Sequence, residues 1–538
     1  MKKIALLFCI LTIVNGCGVQ PIPDDARAPK LRIGILEDVD EIAFQAGDDF
    51  EVYSSDGALL ATGGAGDQYE IRLIYAKAAR IDYYLAARKV LDDREAQKIA
   101  SDVRAKGYPS VIKEKTRREF RAGQIISQKY YYVCIDRAFD NKESAIRLQN
   151  DISDEMFTIV ETFYGRLPSG ILQLSDQSSN RSLEARNFIR LSGNNISINA
   201  RTGAGFHYES RETRTYEGDM IFIVNGSGQL TVMNEIPIAN YLAGVISAEM
   251  NPGFPLEALK AQTITARSYT LSRIGKQHPL APFDLCDEVH CQVFKGITNI
   301  NGTTTTAVRE TAGQALMYED EICETFYAGV CGGHTEHNEN VWDGNPRRYL
   351  RGIFDMDQYN VRVNEDFLKN EENLSLWINS SPDVYCNLSK IEVPSYLEYA
   401  RKYFRWDVTY SQNELSEILL RKTGTDFGDI INIIPVERGI SGRLKTLRIE
   451  GTRSAMDIEK ELEIRKALSD SYLYSSCFQV ERKNVVNGIP REFTLHGAGW
   501  GHGVGMCQTG AAVMALQGMN YKRILNHYYR ESDIKKLY

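Results

Sequence analysis

The chain has 538 residues, too many for one compact core, so two to four domains are expected. With 43% hydrophobic and 25% charged residues, its make-up is that of globular protein rather than a disordered or fibrous chain. A net charge of −8 over this length gives no basic footprint for a polyanion, which excludes nucleic acid as an expected partner.

The N-terminus, MKKIALLFCILTIVNGC, pairs a Lys2-Lys3 head with an apolar run from Ile4 to Val14. That run is too short to span a bilayer as a helix and has the proportions of a secretory signal over residues 1–17. Val14-Asn15-Gly16-Cys17 resembles a bacterial lipobox, which makes Cys17 the lipidated first residue of an exported, membrane-anchored protein. In an oxidising compartment the ten cysteines invite a disulfide framework, but their uneven spacing argues against a full one.

Residues 31–80 read as short alternating strands broken by Gly and Asp turns: LRIGILE, DFEVYSSDG, ALLATGG, YEIRLIY. Similar runs resume over residues 166–235, and the two segments are expected to form one β-rich unit. Between them, residues 81–165 repeat strand, helix, strand twice. Ala96, Ile99, Ala100 and Val103 line one helical face and Ala145, Ile146 and Leu148 the other, with Asp92 and Asn141 as N-caps. This βαββαβ pattern predicts a ferredoxin-like insertion.

From Ile236 to Gly275 the spacing predicts two helices separated by Asn251-Pro252-Gly253. Glu249 falls at the end of the first, on a segment otherwise made of Ala, Val and Ile. Partial desolvation and the negative end of the helix dipole both raise a carboxyl pKa there, as a general acid near neutral pH requires. A surface glutamate at a helix end is the plain alternative. Further on, His278, Cys286, His290 and Cys291 crowd metal-ligand types into fourteen residues. They suit a tetrahedral zinc site closed by a fourth ligand or water, or else a Cys286–Cys291 disulfide.

Cys331-Gly332-Gly333-His334 is a glycine turn. Its cysteine and histidine lack a third, orienting residue, so a nucleophile pair is not expected. His334 and Glu336 are expected to line a cleft, with the glycines allowing close backbone approach. The glycines at 497, 499, 501, 503, 505 and 510 match neither a P-loop nor a dinucleotide fingerprint.

The helical pair, CDEVHCQVFKG (Cys286–Gly296), CGGHTE (Cys331–Glu336) and HGAGWGHGVGMCQTGA (His496–Ala511) follow one another in this order. With them the sequence resembles the SpoIID/LytB (stage II sporulation protein D-like) family of bacterial cell-wall proteins. The resemblance implies a mixed multi-domain α+β chain whose residues 236–538 form a SpoIID-type catalytic domain. It makes Glu249 the catalytic acid of a peptidoglycan lytic transglycosylase that releases 1,6-anhydro-muramyl products. It places Arg267 near the site, with a plain structural ion pair as the alternative, and Tyr269 beside it for packing or sugar stacking; Trp500, His502 and Gln508 fall in a loop walling the substrate groove. Zinc is implied at His278, Cys286 and Cys291, with His290 as a substitute. Cys507 stands where the family usually has serine, and Cys323, Cys386 and Cys477 are peculiar to this sequence. The family also holds non-catalytic enhancers of a cell-wall amidase, which is the competing expectation. Residues 81–165 are similar to the sporulation-related repeat (SPOR) domain, which binds glycan stripped of peptide; Tyr83 and Tyr131, each followed by a second tyrosine, are its expected sugar contacts.

Overall fold

The computed structural model describes residues 28–152, 154–179, 181–202, 210–358 and 364–538, so the signal segment and Cys17 lie outside the described residues. The architecture is mixed α+β, with several separate sheets.

Strands from residues 30–77 and from residues 169–237 share two sheets. One has seven strands, in the order Leu285–Cys286, Lys30–Val39, Leu230–Pro237, Asp219–Val224, Phe188–Ser192, Phe50–Tyr53, Leu59–Gly63. The other has six, among which Gln68–Lys77 pairs with both Ser169–Asp176 and Glu41–Ala46. Period-two alternation sends Ile42, Phe44 and Ala46 inward and their neighbours to solvent. Phe44 meets Phe222 of the other sheet with ring centroids 6.0 Å apart. Leu285–Cys286 joins the edge of the first sheet in parallel, Gly34 opposite Cys286, which fixes that cysteine on a rigid frame.

Residues 80–166 leave these sheets and form their own four-stranded antiparallel sheet. Its order is Ser110–Arg121, Gln124–Ile135, Arg80–Val90, Ile159–Arg166. Helices α1 (Asp93–Ala105) and α2 (Lys142–Ile152) cover one face through Leu85, Ala96, Ala100, Val103, Val133 and Phe157. Asp92 caps α1 by accepting from the Glu95 N–H at 2.9 Å. The other face bears Tyr84, Tyr130, Tyr132 and Phe163, with the ammonium groups of Lys89 and Lys113 over the rings of Tyr130 and Tyr84. The hairpin's far end is tied to the main body by Arg118, whose guanidinium bonds the buried Asp284 at 2.8 and 3.1 Å.

Helix α3 (Ile238–Glu249) ends where the sequence predicts, and α4 (Leu256–Arg273) starts directly after Pro255. The Asn251 side chain accepts from the Gly253 N–H at 2.9 Å and shapes the turn between them. Helix α4 is not amphipathic: from Ala258 to Ser272 every residue is buried except Lys260. Its polar residues suit that position because Thr263 and Ser268 donate to the carbonyls one turn back, at 2.7 Å each.

Beyond residue 404 a second core appears. Two three-stranded sheets and the helices Gln412–Thr423 and Glu461–Ala467 enclose Leu415, Leu419, Leu447, Ile449, Ile464, Phe478 and Leu495. The apolar packing of residues 236–538 is thus divided among several clusters, including a smaller one of Phe354, Leu368, Leu374 and Ile378.

Candidate active site

Glu249 is the last helical residue of α3, and its carboxylate turns toward the segment that follows the His/Cys cluster. Its Oε1 accepts from the Val293 N–H at 3.1 Å, and the Tyr327 hydroxyl donates to the same carboxylate. Burial pushes the carboxyl above its ordinary pKa, and those two donors offset only part of the rise. Behind Tyr327 the donors all run one way. Thr270 Oγ1 donates to Gln292 Oε1 at 2.8 Å, and Gln292 Nε2 donates to the Tyr327 hydroxyl at 3.3 Å. A chain polarised toward the carboxylate favours its anion once the proton has left. Gln508, first residue of the helix Gln508–Leu516, donates to the Glu249 carbonyl at 3.4 Å and to Gln262 at 3.5 Å.

Next to this carboxylate lies the His/Cys cluster. One ligand atom from each of His278, Cys286, His290 and Cys291 lies within 4.8 Å of the others. His278 Nε2 is 3.2 Å from Cys291 Sγ, and His290 Nδ1 is 3.7 Å from both sulfurs. The two sulfurs are unjoined. Cys286 is the readier thiolate, held down first by a hydrogen bond from Cys291 and then by His278 and His290. Two thiols and two imidazoles at such spacing are a donor set that suits a tetrahedral zinc ion, and both histidines lie within reach of the sulfurs. Cys291, Gln292 and Val293 are consecutive, so a ligand, a Tyr327 partner and a Glu249 partner share one short run of backbone.

The family model for Stage II sporulation protein matches residues 226–318, and a model for a domain of unknown function (DUF8618) matches residues 336–505. An uncharacterized protein of Brachyspira hyodysenteriae is 32% identical over 322 residues, which is 59% of this chain and 72% of that protein. Stage II sporulation protein D of Bacillus amyloliquefaciens is 26% identical over 318 residues, 56% of this chain and 76% of its own length. The chain belongs to the SpoIID/LytB family. A third relative, the Amidase enhancer of Bacillus subtilis, is 24% identical over 309 residues, and the match covers 54% of this chain and 39% of that protein.

Of the site residues expected from the SpoIID/LytB resemblance, Glu249, Gln508 and the four His/Cys residues come together. Others do not. Arg267 is 1% exposed, and its guanidinium is taken up by the carbonyls of Thr311 and Gln314 at 2.9 Å each, so it packs α4 rather than meeting a ligand. Tyr269 is buried edge-on against Phe326 with Arg273 over its ring, which leaves no face for a sugar. His334 is buried against Phe354, and burial lowers its pKa to about 4, leaving it neutral. Glu336 lines no cleft. Its oxygens accept from the N–H groups of Ile440 and Ser441 and from the Ser441 hydroxyl at 2.6 Å, clamping the second core to the first. The glycines do serve close approach: Gly333 has φ +104° and lies against the Trp377 ring, where a Cβ would come within 2.7 Å.

Trp500 remains 37% exposed and stacks on Tyr403 at 4.3 Å, a flat aromatic pair open to solvent. His502 sits beneath the site, bonded to the Tyr327 backbone, with burial lowering its pKa to about 3. In the insertion, Tyr83 and Tyr131 lie in register with Leu85 and Val133 on the helix-covered face, because a strand sends alternate residues to opposite sides. The aromatic residues on the face without helices are their neighbours Tyr84, Tyr130 and Tyr132. Tyr327 and Gln292 escaped the sequence reading. Gln292 carried a signal, its place directly after Cys291, whereas Tyr327 is one of 29 tyrosines with no distinguishing spacing.

Proposed function

We propose that the chain is a peptidoglycan lytic transglycosylase with Glu249 as its single acid and base. The observation that carries this reading is the Glu249 carboxyl itself, raised by burial yet met by two hydrogen-bond donors. Protonated, Glu249 gives its proton to the glycosidic oxygen leaving C1 of N-acetylmuramic acid, and the electrons of the C1–O bond go to that oxygen. The Val293 N–H and the Tyr327 hydroxyl then hold the carboxylate. It takes the proton of the muramyl 6-hydroxyl as that oxygen closes onto C1, which restores the acid. One carboxyl suffices because the attacking hydroxyl belongs to the substrate, whereas glycoside hydrolysis generally needs two. Trp500 is assigned to sugar contact, and Gln508, buried and bonded to the Glu249 carbonyl, to holding the end of α3.

A zinc ion held by His278, Cys286, His290 and Cys291 would be neutralised by the two thiolates and would supply a rigid anchor. Those four residues would thereby hold Gln292 and Val293 in place for Glu249. The insertion at residues 80–166 is assigned, as a ferredoxin-like SPOR-type module, to binding peptide-free glycan. It would raise the local substrate concentration. Export and lipidation at Cys17 complete the reading and set the protein facing the cell wall.

The test is incubation of the purified protein with peptide-free glycan strands. Mass spectrometry is expected to find 1,6-anhydro-muramyl ends; reducing ends alone would mean a hydrolase. The relative named Amidase enhancer favours one alternative, a glycan-binding activator of an N-acetylmuramoyl-L-alanine amidase. It wins if no glycan is cut under any metal condition while a purified amidase is stimulated.

A further inference from the structure

A second group of metal-ligand side chains lies apart from the first. Cys331, Asp355, Cys386 and Cys507 each offer one ligand atom, and all four atoms lie within 4.8 Å of one another. We propose that these four residues form a structural zinc site, distinct from the His/Cys cluster beside Glu249.

The spacing suits a single ion. At a Zn–S distance of about 2.3 Å, tetrahedral ligands stand roughly 3.8 Å apart, and Cys331 Sγ lies 3.4 Å from Cys386 Sγ. An iron–sulfur cluster needs its cysteines spread around a cage of several metal and sulfide atoms, for which this space is too small. All four side chains are buried, none more than 3% exposed, as in a closed structural site with no open position.

The surrounding bonds are those that orient ligands. Cys507 Sγ accepts from the N–H groups of Cys331 at 3.2 Å and Gly510 at 3.4 Å, at the start of the helix Gln508–Leu516. Asp355 accepts from the Tyr528 hydroxyl at 2.7 Å and from the Cys386 N–H at 3.0 Å. Such contacts orient a ligand and leave its remaining lone pairs for the metal. Gly510 keeps the pocket open, since a Cβ there would come within 2.7 Å of both Asp355 oxygens. A carboxyl and three sulfurs, buried and converging on one point, form the kind of donor set that a closed zinc site uses. Binding exchanges the thiol protons for the metal and involves no redox step. A Cys331–Cys386 disulfide would spend two of the three sulfurs and leave too few donors to hold an ion.

The four ligands come from four segments: the glycine turn, the bridge after it, the loop before residue 405, and the end of the glycine-rich loop. One ion would staple them together. This inference does not depend on the transglycosylase reading, and its test measures metal rather than activity.

The full chain, isolated from the exported fraction without chelator, is expected to carry zinc at both clusters. Cys386→Ser and Cys507→Ser should each lose one equivalent, and Cys286→Ser should lose the other. Should a serine variant fail to fold, cobalt titration of the metal-free Cys286→Ser, Cys291→Ser chain reads the second site alone. It should show tetrahedral cobalt with thiolate-to-metal absorption, and Asp355→Cys should strengthen that absorption. No cobalt bound in that background, or a Cys331–Cys386 disulfide in peptide maps of the native chain, would overturn the proposal.

Discussion

The two His/Cys/Asp clusters differ in how they are built. The one beside Glu249 comes from a single run of fourteen residues, with Cys286 and His290 partly open to solvent. The one beneath the glycine turn draws its ligands from positions as far apart as Cys331 and Cys507, and all four are buried. Closing a short loop orders little chain, whereas joining distant segments constrains a large part of the fold. The first cluster is therefore suited to positioning a catalytic loop, and the second to holding the domain together.

The sharpest test of that contrast lies with Glu249, which should matter for rate and not for assembly. Glu249→Gln is expected to cut the formation of anhydro ends by at least ~10²–10⁴-fold while both metal equivalents remain. Its melting temperature near neutral pH should hold or rise. A carboxyl whose folded pKa is raised is neutral in the fold below its unfolded value, and the stability that goes with neutrality is lost as pH rises through the folded value. Wild-type rate in this variant would end the case for Glu249.

Next in size are the cluster variants. Cys507→Ala should lower the unfolding midpoint by several degrees, leaving turnover per folded molecule nearly intact. Cys286→Ala should do the reverse, and equal melting losses from both would dissolve the contrast. Arg267→Ala should behave like the inner cluster. It orphans two buried carbonyls at about 1–3 kcal/mol each, read by chemical denaturation with KM unchanged. Tyr327→Phe removes a hydrogen bond that lowers the Glu249 pKa, so the acid limb of the rate should extend to higher pH, with a loss of about tenfold or less.

A separate effect concerns pH. His334 and His502, lowered to about 4 and about 3, stay neutral in the fold while their unfolded counterparts gain protons below about 6.5. The unfolded state then binds more protons, so stability should fall as pH drops from about 6.5 to about 4. Denaturant melts at several pH values measure it, and His334→Gln should flatten part of the slope.

Period-two alternation made the paired β-segments legible, and proline punctuation made the α3–α4 turn so. The local cluster was legible because its ligands are neighbours in sequence. The inner cluster was not, because nothing in the sequence brings Cys386 to Cys507 until the chain has folded around them. Arg267 misled for a related reason: an arginine in an uncharged helix looks aimed at a ligand when its acceptors are carbonyls more than forty residues away. Tyr83 and Tyr131 lie on the helix-covered face, which alternation along the strand could have shown from the buried Leu85 and Val133.

The short parallel ladder that pairs Tyr327 with Met506 and Ala328 with Cys507 has a consequence for synthesis. A nascent chain that has emerged as far as Tyr327 still lacks the strand that holds this tyrosine and the Gln508 that holds Glu249. Glu249 is made early, yet its surroundings are completed only when a stretch more than two hundred and fifty residues later arrives. The surroundings of this carboxylate are therefore incomplete until nearly all of the chain has left the ribosome.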